Sequence, residues 1–127
     1  MTVSPGRYRQ ISVVALCLLI FIIVTGAAVR LTGSGLGCSD WPHCNSQRFV
    51  DVSNRHAAIE QINRMITGLV SVGVIAAVLG AWWRTPRRRD LVLLSWALVA
   101  GVIAQALLGA VVVWLHLHPI TVQGHML

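Results

Sequence analysis

Charge is what this sequence has least of. Only 11% of its 127 residues are Asp, Glu, Lys or Arg, against 56% hydrophobic residues, a balance outside the range of soluble globular domains. That excludes a water-soluble fold and points to a membrane protein. Lysine is missing altogether, and the ten basic residues are arginines at positions 7, 9, 30, 48, 55, 64, 84, 87, 88 and 89. They sit mostly at the edges of apolar runs and form no patch interleaved with aromatics, so nucleic-acid binding is not expected despite a formal net charge of +6. Internal repeats and low-complexity tracts are also lacking.

What is present is a series of long apolar runs. Residues 11–29 (ISVVALCLLIFIIVTGAAV) carry no charge, and at about 1.5 Å per residue they reach close to the roughly 30 Å of a hydrocarbon core. The run exceeds the roughly 7 to 15 apolar residues of a secretory leader, so a retained spanning helix is expected. A second span is expected over 57–83, with Glu60 and Arg64 in its first two turns, and an uncharged third over 91–115. After LHLHP, the stretch ITVQGHML opens a fourth helix at about residue 120, too short to cross a bilayer. The expected fold is all-α: a polytopic transmembrane helical bundle with three complete spans and the start of a fourth.

Arginine bias in short loops sets the orientation. Arg7 and Arg9 in the tail, and Arg84, Arg87, Arg88 and Arg89 in the second connection, place both segments on the cytoplasmic side. The 30–56 loop, where Asp40 and Asp51 partly balance three arginines, belongs outside. Trp82, Trp83 and Trp114 near span ends suit an interfacial aromatic belt.

The external loop contains LTGSGLGCSDWPHC (31–44). Cys38 and Cys44 enclose SDWPH in an oxidising compartment, where neighbouring cysteines tend to pair. A metal site using both thiolates with His43, His56, His116 or His118 is the rival, although structural zinc sites usually space paired cysteines more closely. Gly33, Gly35 and Gly37 give the preceding backbone access to positive φ. Cys17, embedded in apolar sequence, is expected to act as a small buried hydrophobe.

On the second helix, Glu60, Asn63, Arg64, Thr67 and Ser71 recur at intervals of three and four and form one polar stripe. An ionisable residue within a span marks function by default, because burying it costs roughly 2.5 to 3.5 kcal/mol even on insertion scales. A Glu60–Arg64 pair at i,i+4 that only neutralises both charges is the structural alternative. Gly101, Gln105 and Gly109 on the third helix suit close helix packing. His116 and His118 lie just past that span, whereas His125 lies deep enough in the fourth helix to meet a planar ligand.

These motifs resemble a known family. TGAAVRLTGSGLGCSDWPHC is similar to the first-helix end and outer loop of heme A synthase, and IEQINRMITGL resembles its second-helix motif around an essential glutamate. AQALLGAVVV and LHPITVQGHML resemble its third helix, short outer loop and fourth-helix start. The resemblance implies a plasma-membrane, multi-pass oxidoreductase of eight helices in two halves. Residues 1–127 would be the substrate-side N-terminal half lacking most of its fourth helix, and inactive alone. The reaction implied converts heme O to heme A by successive hydroxylation of a methyl group, with a heme b cofactor in the C-terminal half.

By the same resemblance, Glu60 is catalytic, Cys38 and Cys44 form a disulfide, His125 ligates the heme iron, and Asn63 and Arg64 lie at the heme. Asn63 departs from the pattern: many members have histidine there, and an amide is a poor iron ligand beside imidazole. His56 could substitute from a higher position. The partners implied are the lipid bilayer, heme O, the C-terminal half and heme O synthase. Two other classes remain open on the residues alone: a non-enzymatic metal-handling membrane protein using Cys38, Cys44 and the histidines, and a helical subunit whose polar stripe binds partner helices.

Overall fold

The computed structural model describes residues 2–126. Four helices follow in chain order, α1 (Pro5–Leu31), α2 (Arg55–Trp83), α3 (Arg89–Trp114) and α4 (Pro119–Met126), and no strand forms among the described residues. The first three are long and apolar enough to cross a membrane. Their side chains point apolar surface outward, with Ile23 69% and Leu93 70% exposed, which is the pattern of a protein embedded in lipid; Cys17, expected to be buried, lies on this outward face of α1 instead.

Capping explains why α1 and α2 begin before their apolar runs. Ser4 is extended and its Oγ accepts the Arg7 N–H at 3.4 Å, with Pro5 opening the helix, so α1 starts ahead of residue 11. Asn54 does the same for α2, its Oδ1 accepting from Ala57 N at 2.8 Å. Asp90 in the first turn of α3 complements the positive end of that helix. At its other end, His116 and Leu117 hold left-handed φ values of 49° and 61°. The Leu117 N–H reaches back to Val112 O at 2.9 Å, turning the chain from α3 into α4.

The helices pack in a row, each on its sequence neighbour: α1 on α2, α2 on α3 and α3 on α4. Small residues set the α1–α2 register. Ala15 and Leu18 lie against Gly73, and Tyr8 and Ile11 against Gly80, where the absent side chain lets the helices approach. As the middle element, α2 carries the buried Val70, Val74, Ala77, Val78 and Ala81.

The two ends of the α1–α2 pair differ. At one, Val3 and Thr85 exchange backbone bonds with the partner segment, Val3 N to Trp83 O at 2.8 Å and Thr85 N to Val3 O at 3.1 Å; this arginine-rich end carries Arg84 and Arg87–Arg89. At the other, residues 32–54 form a loop without regular structure, folded over the start of α2.

The face expected to pack through Gly101, Gln105 and Gly109 divides. Gly109 lies against the His125 ring, but nothing approaches Gly101, and Gln105 is exposed. Among the described residues, α4 meets α3 at the end that carries Gly109.

Candidate functional site

The loop is shaped by glycine, but not in one way. Only Gly33 has a positive φ, 64°. Gly37 is required for a different reason, since a Cβ there would overlap the backbone of His56 and Ala57. That contact presses residues 37 and 38 onto the first turn of α2. Gly35 instead lies against Leu117. Beside them, Ser34 is fully buried and bonds Thr32 Oγ1 at 2.8 Å and His56 Nδ1 at 3.0 Å, tying the end of α1 to the start of α2.

Cys38 and Cys44 are joined in a disulfide, their Cα atoms 4.4 Å apart, and both are buried with Ala57 in one cluster. Both sulfurs are thereby used. Among the described residues, no group of three or more His, Cys, Asp or Glu side chains is arranged to hold a metal ion. Near the ring, His43 meets Phe49 edge-on at 5.2 Å, and Trp41 meets Trp114 of α3 at 6.5 Å.

Glu60 lies directly under this ring, only 5% exposed. Its Oε2 accepts the Cys38 backbone N–H at 2.9 Å, and its Oε1 accepts Arg64 Nη2 at 2.5 Å. The other arm of the guanidinium turns to the ring: Nη1 donates to Asp40 O at 3.0 Å, to His43 O at 3.1 Å and, at the longer 3.5 Å, to Pro42 O. A buried carboxylate is thus held by one cation and one amide. With about four lone-pair sites on a carboxylate, two remain able to accept a proton or face a developing positive charge.

The polar stripe expected on α2 is divided between two neighbours. Asn63 faces α1, where its Oδ1 accepts from Thr25 Oγ1 at 2.9 Å. Thr67 and Ser71 bond back to their own helix, at Asn63 O and Thr67 O. Only Glu60 and Arg64 reach the loop. His125 is placed elsewhere, with its ring against Gly109 of α3 and a buried Nδ1 that has no hydrogen-bond partner among the described residues. Imidazole nitrogen suits heme iron, and an unsatisfied buried ring nitrogen calls for a group to meet it. The amide of Asn63, already engaged by Thr25, does not offer the same fit.

Sequence reasoning paired Glu60 with Arg64 but missed the Cys38 amide and the three ring carbonyls. Backbone groups have no letter in a sequence. The available hint was SDWPH enclosed by two cysteines, a ring too short to keep its carbonyls inside. Trp41, which reaches α3, also went unassigned.

Comparison with known proteins follows the same residues. Positions 9–58 match the family COX15-CtaA, described as cytochrome oxidase assembly protein. The chain is 34% identical over 112 residues to a protein named heme A synthase from Lysinibacillus sphaericus, covering 86% of this chain and 36% of that protein. It is 39% identical over 107 residues to the heme A synthase of Listeria monocytogenes serovar 1/2a, covering 81% and 35%. With the heme A synthase of Bacillus pumilus it shares 36% over 107 residues, covering 83% and 34%. The chain spans about a third of the length of the curated relatives it matches. No solved structure matches it.

Proposed function

We propose that this chain, which belongs to the heme A synthase family, forms the substrate-side part of a membrane oxidoreductase that converts heme O to heme A. The observation that carries the reading is the buried Glu60 carboxylate, fixed from both sides where α2 meets the loop. A carboxylate kept this far from water within a spanning helix has a use beyond charge neutralisation.

Heme O is the substrate, and each hydroxylation of its methyl group removes two electrons to an acceptor outside this chain and takes its oxygen atom from water or dioxygen. The chain contributes placement and electrostatics. Glu60 acts at the methyl as a base or as a fixed negative charge stabilising positive charge that develops there; preorganised charge acts strongly in a site that excludes water. His125 supplies an imidazole from α4. The disulfide ring and Trp41 cover the loop end, and the loop faces the extracytoplasmic side of the plasma membrane. Heme b is assigned to no residue of this chain, nor is any contact with heme O synthase.

Glu60→Gln tests this reading, because the amide keeps the shape and loses the charge. Membranes from cells making the substitution in the full-length enzyme, with its C-terminal half, are extracted and their hemes separated by reversed-phase chromatography. Heme O should accumulate and heme A should disappear, with total bound heme unchanged. Heme A at the level of the unsubstituted protein would leave Glu60 with the Arg64 pair alone.

A further inference from the structure

An i,i+4 ion pair needs one arm of an arginine, and Arg64 uses two. Nη2 meets Glu60 Oε1 while Nη1 is directed away, into the carbonyls of Asp40, His43 and Pro42. All three belong to the segment closed by the Cys38–Cys44 disulfide. The same segment supplies the Cys38 N–H to the other oxygen of Glu60. A closed circuit results, from Glu60 through Arg64 to the ring and from the ring through Cys38 back to Glu60. Arg64 is 16% exposed at its side chain and Glu60 is 7%, so the ion pair is largely shielded from water, while the bonds to His43 and Pro42 lie at the exposed rim.

We propose that Arg64 is a positioning residue for Glu60, a two-armed bridge that seats the disulfide ring on α2 and so fixes the carboxylate from both oxygens. The proposal rests on the reading of Glu60 as the acting carboxylate. Its physical basis is the shape of the guanidinium. A planar fork presents separate donors to acceptors lying in different directions, whereas an ammonium group is a point charge on a flexible stem. Lysine at this position keeps the charge beside Glu60 but cannot hold the ring carbonyls in the same geometry. The ring then lifts, the Cys38 amide leaves Glu60, and the carboxylate swings with one oxygen unheld. Misplacement by about 1 Å at a reacting group is enough to lower turnover without removing the substrate.

Two variants, Arg64→Lys and Arg64→Met, separate this role from simple neutralisation. Three quantities are read in the membrane-embedded or detergent-solubilised full-length enzyme, with its C-terminal half: hydrogen exchange at the Cys38 amide, the rate at which a water-soluble phosphine reduces the Cys38–Cys44 bond, and conversion of heme O. Phosphine reduction takes up one water and two electrons per disulfide, giving two thiols and the phosphine oxide. In Arg64→Lys, exchange and reduction should each quicken about tenfold or more, the scale of a lost hydrogen bond to a charged group. Conversion should fall by a similar factor. Arg64→Met should behave as Arg64→Lys does or worse.

Full rescue by lysine in all three measurements would overturn the proposal, since charge alone would then suffice. Faster exchange and reduction with undiminished conversion would also overturn it, leaving Arg64 a loop anchor and nothing more. Should the unsubstituted chain, joined to the C-terminal half that completes it, fail to convert heme O, the enzymatic reading fails on its own, and the exchange and reduction measurements still decide whether Arg64 holds the ring to Glu60.

Discussion

The two ends of the α1–α2 pair use arginine in opposite ways. At the loop end, Arg64 is drawn in, bonded to a buried carboxylate and to three carbonyls. At the other end, Arg88 pairs with Asp90 where both remain more than half exposed, and Arg87 rests over the Trp82 ring at 5.9 Å. The backbone differs in parallel. The arginine-rich end is joined by two short main-chain bonds, while the loop end needs a disulfide, side-chain bonds and a glycine without clearance to hold its irregular chain. One end keeps its charge in water, where an ion pair adds little. The other withdraws charge from water, so that losing any one partner is expensive.

The sharpest way to break this comparison is to test whether the ends lie on opposite sides of the membrane. An impermeant thiol reagent applied to intact cells should label an engineered Ser46→Cys fully and Thr85→Cys not at all, on a background with Cys17 replaced. The reverse pattern would reject the assigned orientation. Next in size is Glu60→Ala, which leaves Arg64 without its buried partner; the expected local destabilisation is about 3 to 5 kcal/mol, read as lost exchange protection over residues 37–44. Equal protection in the variant would show that the ring holds itself. Gly37→Ala should cost about 1 to 3 kcal/mol by the same measurement, the usual range for forcing atoms into a filled site. An unchanged profile there would mean that the loop shifts freely away from His56.

The smallest effect expected is a pH dependence. Ser53 bonds to Asp51, aided by Arg48 and Asn45, and holds that carboxyl below its ordinary value of 3.8. A carboxyl depressed in the folded loop stabilises it above the unfolded value and loses that contribution as pH falls through the folded one. Exchange over 45–53 should therefore quicken, after correction for intrinsic rate, as pH drops below about 3.8. Asp51→Asn should remove the change, and a persistent change would assign it to another group.

The spans were legible because lipid imposes a length and forbids charge, and both constraints are written directly in residues 11–29 and 91–115. Helix starts were missed by a few residues because Ser4 and Asn54 begin helices by satisfying backbone N–H groups, independently of hydropathy. At the site, the Glu60–Arg64 spacing was readable as a single turn of helix. The direction of Asn63 was not. A period of three or four puts a residue on the general face of Glu60, but a rotation small on the scale of that pattern decides between the loop and Thr25 of α1. The glycines show the same limit, since Gly33 and Gly37 are the same letter serving a left-handed turn and a close contact.

The neighbour-to-neighbour order of the helices bears on how the chain is made. Each span finds its packing surface on the segment synthesised just before it, with α2 docking on α1, α3 on α2, and α4 on α3. Among the described residues, each of these contacts joins helices adjacent in sequence. Chains emerge N-terminus first, and contacts between sequence neighbours form with little loop-closure delay. Assembly of these helices can therefore proceed in the order of translation, with the 32–54 loop seating on α2 first and completing its contacts, Trp41 on Trp114 and Gly35 on Leu117, once α3 is in place.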